Sequence, residues 1–129
     1  MKGKVLLIED NEQNRYLITF LLEKHGYSVV EAPDGPVGID LAVKVFPSLI
    51  LLDIQLPTMD GYAVAGALRK NPALARIPIV AVTSYAMTGD REKALAAGCN
   101  GYIEKPINPE TFVVQVEQYV EEAHKEQHP

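Results

Sequence analysis

Five short apolar runs, VLLI (5–8), SVVE (28–31), LILL (49–52), IVAV (79–82) and GYI (101–103), alternate with five segments long enough to be helices. Most are rich in Val or Ile and read as strands. The intervening segments carry recognisable ends. The first helix is expected from Asn11, with Asp10 or Asn11 as its cap, to Gly26, with Leu17, Phe20 and Leu21 on one face and His25 in its last turn. The second follows the turn Pro33-Asp34-Gly35 and repeats Val37, Leu41 and Val45. A third runs over 62–70, capped by Asp60-Gly61, and stops before Pro72. A fourth, 89–97, is closed by Gly98. The fifth opens with Asn108 as cap and Pro109 in its first position, and Phe112, Val116, Tyr119 and Ala123 form its apolar stripe.

Continuous apolar strands, rather than alternating ones, belong to a parallel sheet covered on both faces. Right-handed crossovers then lead to an α/β fold with a doubly wound open sheet. In such sheets ligands bind beyond the carboxyl ends of the strands. Four of the five strands here run into polar groups: Glu9 and Asp10 after the first, Asp53 after the third, Thr83 and Ser84 after the fourth, Glu104, Lys105 and Pro106 after the fifth.

Three carboxylates meeting at one edge would repel, and a divalent cation removes the conflict. An all-oxygen set without nearby His or Cys suits Mg²⁺. Lys105 adds a point charge suited to a phosphoryl oxygen and Thr83 a hydroxyl donor, which together make a kit for phosphoryl transfer, with Asp53 the carboxylate best placed to accept the group. Each piece alone has a plainer reading: Asp10 as a helix cap, Lys105-Pro106 as a turn, Thr83-Ser84 as a loop. The inference rests on their conjunction.

Composition narrows the class. A chain of 129 residues with 47% hydrophobic and 22% charged residues can bury the core of one domain. A net charge of −5 and no basic cluster argue against nucleic-acid partners. No apolar run approaches a membrane span, and the one in MKGKVLLIED is too short for a signal peptide, so no membrane partner and a cytoplasmic address are expected. The single Cys99 forms no intramolecular disulfide or Cys-based zinc site and reads as a small buried hydrophobe. Neither a P-loop nor GxGxxG follows the first strand.

The segments LLIEDN, LILLDIQLPTMDG, IPIVAVTSYA and GYIEKPI, in this order and spacing, resemble the response-regulator receiver domain of two-component signalling over nearly the whole chain. The resemblance implies a five-stranded sheet in the order 2-1-3-4-5 with helices on both faces, over residues 1–123, with 124–129 a polar tail. It implies that Asp53 is the phosphoacceptor, and that Asp10, Asp53 and the backbone carbonyl of Gln55 bind Mg²⁺, with Glu9 acting through water. Lys105 would pair with one phosphoryl oxygen and Thr83 with another, Tyr102 would switch rotamer with Thr83, and the Lys105–Pro106 bond would be cis. The partners implied are a histidine kinase or histidine phosphotransfer protein and a downstream protein target, the receiver itself being a monomer or a phosphorylation-dependent dimer and no metabolic enzyme.

The pair Glu9-Asp10 stands where many relatives have two Asp. Gln55 and Tyr85 occupy positions that in this family tune dephosphorylation, and an aromatic at Tyr85 leads us to expect slow hydrolysis. His25 suits a helix C-terminus; His124 and His128 fall in the solvated, frayed stretch EEAHKEQHP. The 87–90 segment, MTGD, is expected to be mobile and suited to partner contact. Three rival readings stand beside the receiver. An aspartyl phosphohydrolase is disfavoured because Gln55 replaces the second acid. A phosphate-independent interaction module is the second. The third is a receiver fragment of a hybrid kinase, against which the initial Met1 and short tail favour an independent protein.

Overall fold

A computed structural model describes residues 2–84 and 89–127. Its elements alternate as β1 (Gly3–Ile8), α1 (Glu12–Lys24), β2 (Tyr27–Ala32), α2 (Gly35–Val45), β3 (Leu49–Asp53), α3 (Gly61–Lys70), a 3-10 turn (Pro72–Leu74), β4 (Ile79–Thr83), α4 (Asp90–Ala97), β5 (Gly101–Glu104) and α5 (Phe112–Gln127). The strands pair in parallel in the order β2-β1-β3-β4-β5. The expected doubly wound sheet is therefore present.

Alternate residues of each strand face opposite ways, and the core divides accordingly. Leu6, Ile8, Ile50, Leu52, Ile79 and Ala81 pack with Ala42, Val64, Ala65, Leu68 and Ala94, so α2, α3 and α4 cover one face. Val5, Leu7, Leu49, Leu51, Val80 and Val82 pack with Ile18, Leu21, Leu22, Phe112, Val113 and Val116, so α1 and α5 cover the other. All five residues of β3 are buried, as befits a strand paired on both edges.

Several expectations need correction. The inward face of α1 is Ile18, Leu21 and Leu22, while Phe20 is 52% exposed. In α2 the buried stripe is Gly35, Gly38 and Ala42, and Val37 lies outside. Bulky residues marked the apolar face in the sequence, but α2 lies so close to β1 that a Cβ on Gly38 would collide with the Ile8 side chain. Small residues form the contact for that reason. Asn108 caps a turn, its side chain accepting from the Glu110 N–H (2.9 Å), and regular helix starts only at Phe112. At its far end α5 continues through Gln127, beyond the expected fraying point, and His128 and the His124 side chain lie outside the described residues.

Other helix ends follow the sequence. Asn11, Asp34 and Asp60 accept the N–H groups of Asn14, Val37 and Ala63 at 2.9 Å each. Gly98 closes α4 at φ 112°, a left-handed conformation open to glycine. His25 caps the end of α1, its Nδ1 2.8 Å from the Leu21 carbonyl oxygen. Cys99 is buried, which pushes its thiol up to about 11.

The amino ends of β4 and β5 are tied together by Arg69, from the last turn of α3. Its guanidinium donates to the carbonyl oxygens of Leu74 (3.0 Å), Ile77 (2.8 Å) and Gly98 (2.9 Å) and to Asn100 Oδ1 (2.7 Å). Asn100 Oδ1 also accepts the Ile79 N–H at 2.9 Å, so one cation joins the lead-ins of β4 and β5. Across the sheet, Glu117 of α5 accepts from Lys2 and from the Tyr27 hydroxyl, both at 3.1 Å. Among the described residues no helix is long and apolar enough to cross a membrane.

Candidate functional site

Each strand that carries site residues runs one residue or more beyond the apolar stretch seen in the sequence. Asp53 is the last ladder residue of β3, opposite Val82, and Thr83 is the last of β4, opposite Glu104. The Ile54 N–H still bonds to the Val82 carbonyl (3.3 Å), and the Lys105 N–H to that of Thr83 (2.8 Å). Backbone pairing therefore fixes where these side chains begin.

The β1–α1 loop brings Glu9 and Asp10 to the same edge. Oxygens of Glu9, Asp10 and Asp53 lie within 4.8 Å of one another. Glu9 and Asp53 are buried, at 1% and 3% exposure, whereas Asp10 is exposed. Lys105, the residue after β5, reaches back to place Nζ 2.7 Å from Glu9 Oε1 and 3.6 Å from Asp53 Oδ1. The Lys105–Pro106 peptide bond is cis. A cleft of about 630 Å³ opens over the cluster, walled by Glu9, Asp10, Asp53, Gln55, Ser84 and Lys105 among others.

Two buried acids in contact cannot both ionise cheaply. Burial, reinforced by the neighbouring Glu9, pushes Asp53 up to about 8, although the Gln55 N–H bond (3.0 Å) and Lys105 pull the other way. Burial also works against ionised Glu9, but bonds from Asp53 and Lys105 outweigh it and hold Glu9 below the usual carboxylate range. The two shifts run in opposite directions: Asp53 resists ionisation, and Glu9 is favoured as the charged partner of Lys105. A set of hard oxygen donors with a surplus of negative charge, one of them resisting ionisation through burial and its acidic neighbour, fits a small divalent cation such as Mg²⁺.

The remaining sequence candidates are placed as follows. Gln55 lines the cleft, and its side-chain oxygen accepts from the Ser84 hydroxyl at 2.7 Å, a bridge between the loops after β3 and β4. Thr83 is buried at 1% exposure, beneath the cleft rather than on its wall. Tyr102 is half-buried against the core formed with α2, α3 and α4. Its backbone is held by the Tyr119 hydroxyl, which donates to the Tyr102 carbonyl at 3.3 Å. Tyr85, and the Met87 and Thr88 half of the MTGD segment, lie outside the described residues.

Two contributors escaped the sequence reading. Arg15 of α1 donates to the Glu9 and Asp10 carbonyls at 2.8 and 3.1 Å. Gly61, at the start of α3, sits so close to the end of β3 that a Cβ would come 2.6 Å from the Asp53 carbonyl oxygen and 2.5 Å from Ile54 Cα. The Asp60-Gly61 pair signalled a helix start, but not that the helix presses on the strand bearing Asp53.

Comparison with known proteins agrees with this geometry. The chain is 40% identical over 123 residues to the polar-differentiation response regulator DivK of Brucella abortus, covering 95% of this chain and all of that one. The chemotaxis protein CheY4 of Vibrio cholerae superposes with a TM-score of 0.88 at 28% identity, covering 92% of this chain and 99% of that one. The receiver domain of the sensor histidine kinase PA1611 of Pseudomonas aeruginosa, solved with a magnesium ion coordinated in its active-site cleft, gives 0.85 at 33% identity, with 93% and 98% covered. Residues 5–117 match the response regulator receiver domain family, and with a five-stranded sheet in the same order and the acids at its carboxyl edge, the chain belongs to that family.

Proposed function

We propose that this receiver accepts a phosphoryl group on Asp53 from a phosphohistidine of a histidine kinase or histidine phosphotransfer protein, and signals through protein contact. The observation that carries the reading is the convergence of Glu9, Asp10, Asp53 and Lys105 in one open cleft. In the transfer an Asp53 oxygen bonds to phosphorus as the P–N bond breaks, and the histidine leaves with the bonding electron pair and takes up a proton.

Asp10, Asp53 and the Gln55 carbonyl would hold Mg²⁺, with Glu9 contributing at one remove through water. Bound there, the cation supplies positive charge that favours ionised Asp53 and offsets charge on the phosphoryl oxygens. Lys105 exchanges its bond to Glu9 for one to the new phosphoryl group, a short movement since Asp53 is already 3.6 Å away. Thr83 supplies a hydroxyl to a further phosphoryl oxygen, and its displacement makes room for Tyr102 to pack inward, changing the surface of β5 and α5. This is self-modification, not metabolic turnover.

Intact mass after treatment with acetyl phosphate tests the reading. Wild type gains one phosphoryl group with Mg²⁺ and none without, and Asp53→Ala gains none. A wild type that binds Mg²⁺ yet gains no mass would make this a phosphate-independent interaction module.

A further inference from the structure

Arg15 is the one cation on α1 whose contacts lie in the loop carrying the acids. It stands one turn into the helix, its N–H bonded to the Asn11 carbonyl at 3.0 Å. A single nitrogen, Nη1, donates to two consecutive carbonyl oxygens, those of Glu9 (2.8 Å) and Asp10 (3.1 Å). On the other side its Nε lies 3.6 Å from Glu31 Oε1 of β2. The side chain is 21% exposed, so its stem is packed and its head is held on two sides.

These contacts fix the peptide planes on both sides of Asp10. The Glu9 N–H is separately bonded to the Ala32 carbonyl (3.0 Å) and the Asn11 N–H to Glu9 Oε2 (3.3 Å). Asp10 itself is exposed and has no strand to define it, so its direction depends on the backbone that Arg15 holds. As a charge, a guanidinium this near the acids opposes a divalent cation, and Glu31 offsets only part of that. Its contribution must therefore be geometric.

We infer that Arg15 is a positioning residue for cation binding: its guanidinium clamps the Glu9 and Asp10 carbonyls so that the two carboxylates converge with Asp53. This rests on the function proposed above, and deepens it. Partners that orient metal ligands from behind typically change affinity by about 10- to 100-fold when removed. A lysine ends one bond short of Nη1 and has no second nitrogen to keep the Glu31 contact, so it does not hold both carbonyls from the same place.

The test is a Mg²⁺ titration followed by backbone amide shifts, with acetyl-phosphate phosphorylation rates at limiting and saturating Mg²⁺. Arg15→Met and Arg15→Lys should both weaken Mg²⁺ binding by about tenfold, with the amides of residues 9–11 displaced before any cation is added. Saturating Mg²⁺ should return their phosphorylation rates to within about twofold of wild type, since the defect lies in cation binding and not in the transfer step. Glu31→Gln, which keeps both carbonyl bonds, should leave affinity within about twofold. Folded Arg15 variants that bind Mg²⁺ as well as wild type, or better, would overturn the assignment. So would a Glu31→Gln loss equal to theirs, because charge balance and not the clamp would then set affinity. Should Arg15→Met fail to fold, Arg15→Lys decides alone. A wild type that binds no Mg²⁺ would instead remove the proposed function, and this assignment with it.

Discussion

At the amino ends of the strands, charged side chains meet partners that satisfy them; at the carboxyl ends, carboxylates meet one another. Arg69 spends its donors on backbone oxygens and Asn100, and Glu117 takes bonds from Lys2 and Tyr27. Across the sheet, Asp53 and Glu9 are buried side by side, and among the described residues Lys105 is the one cation paired with both. The same strands thus have an end that holds the fold and an end that works against it. The contrast separates stability from chemistry by about the length of a strand, so mutations at the two ends should have different signatures.

The largest effect is expected from Arg69→Met, which leaves several part-buried carbonyl groups without their donor at once. We expect a loss of about 2–4 kcal/mol in urea unfolding, with Asp53 still phosphorylated by acetyl phosphate. Loss of phosphorylation in the folded variant would break the proposed separation of the two ends.

Gly61→Ala tests the opposite end. Its new Cβ meets backbone at Asp53 and Ile54, which has no room to yield, and overpacking of this kind costs about 1–3 kcal/mol. Here stability and phosphorylation rate should fall together, because the atoms displaced belong to the residue proposed to accept the phosphoryl group. A destabilised variant with an unchanged rate would show that the end of β3 tolerates displacement.

The carboxyl end should also respond to pH. Asp53 is raised from an ordinary 3.8 to about 8, so the native state binds more protons than the unfolded chain between those values. Without divalent cations, its contribution to stability is greatest below about pH 4 and is lost as the pH rises towards 8. Glu9, held low, works in the opposite sense: its contribution is present above the ordinary carboxylate range and is lost as pH falls through its lowered value. In EDTA, wild type should therefore melt at lower temperature near pH 8 than near pH 5. Asp53→Asn should remove that fall, and Mg²⁺ should reduce it. A wild-type melting temperature that rises over this range would contradict the raised value at Asp53.

The smallest effect is expected from Tyr27→Phe. It removes one bond to a partly exposed carboxylate, and should cost under about 1 kcal/mol in the same unfolding assay. A larger loss would make the contact between β2 and α5 a main support of the amino end.

The order of elements was legible because continuous apolar runs and helix caps are local signals, and the acids because they follow those runs directly. Helix faces were less so. Phe20 and Val37 looked like core residues, but burial in α2 went to Gly35, Gly38 and Ala42, since close helix–sheet contact excludes bulk. Arg15 and Arg69 were invisible for a different reason. An arginine on a helix reads as solvated charge, and the partners here are carbonyl oxygens, which every residue has. The contact between Asp53 and Glu9 was foreseeable as convergence at one edge, but the ion pair from Lys105 to Glu9, shorter than that to Asp53, depends on side-chain reach that spacing does not encode.

The strand order bears on how the molecule is put together as it leaves the ribosome. β1 lies between β2 and β3, so the first 53 residues contain a contiguous three-stranded sheet and all three carboxylates of the cluster. β4 and β5 then add one after the other at a single growing edge. Lys105, the cation that answers the acids, arrives with the last strand. Synthesis runs from the N-terminus and domains fold as units, so all three acids are in the chain before the lysine that answers them is made, and the cluster is completed only when the last strand closes the domain.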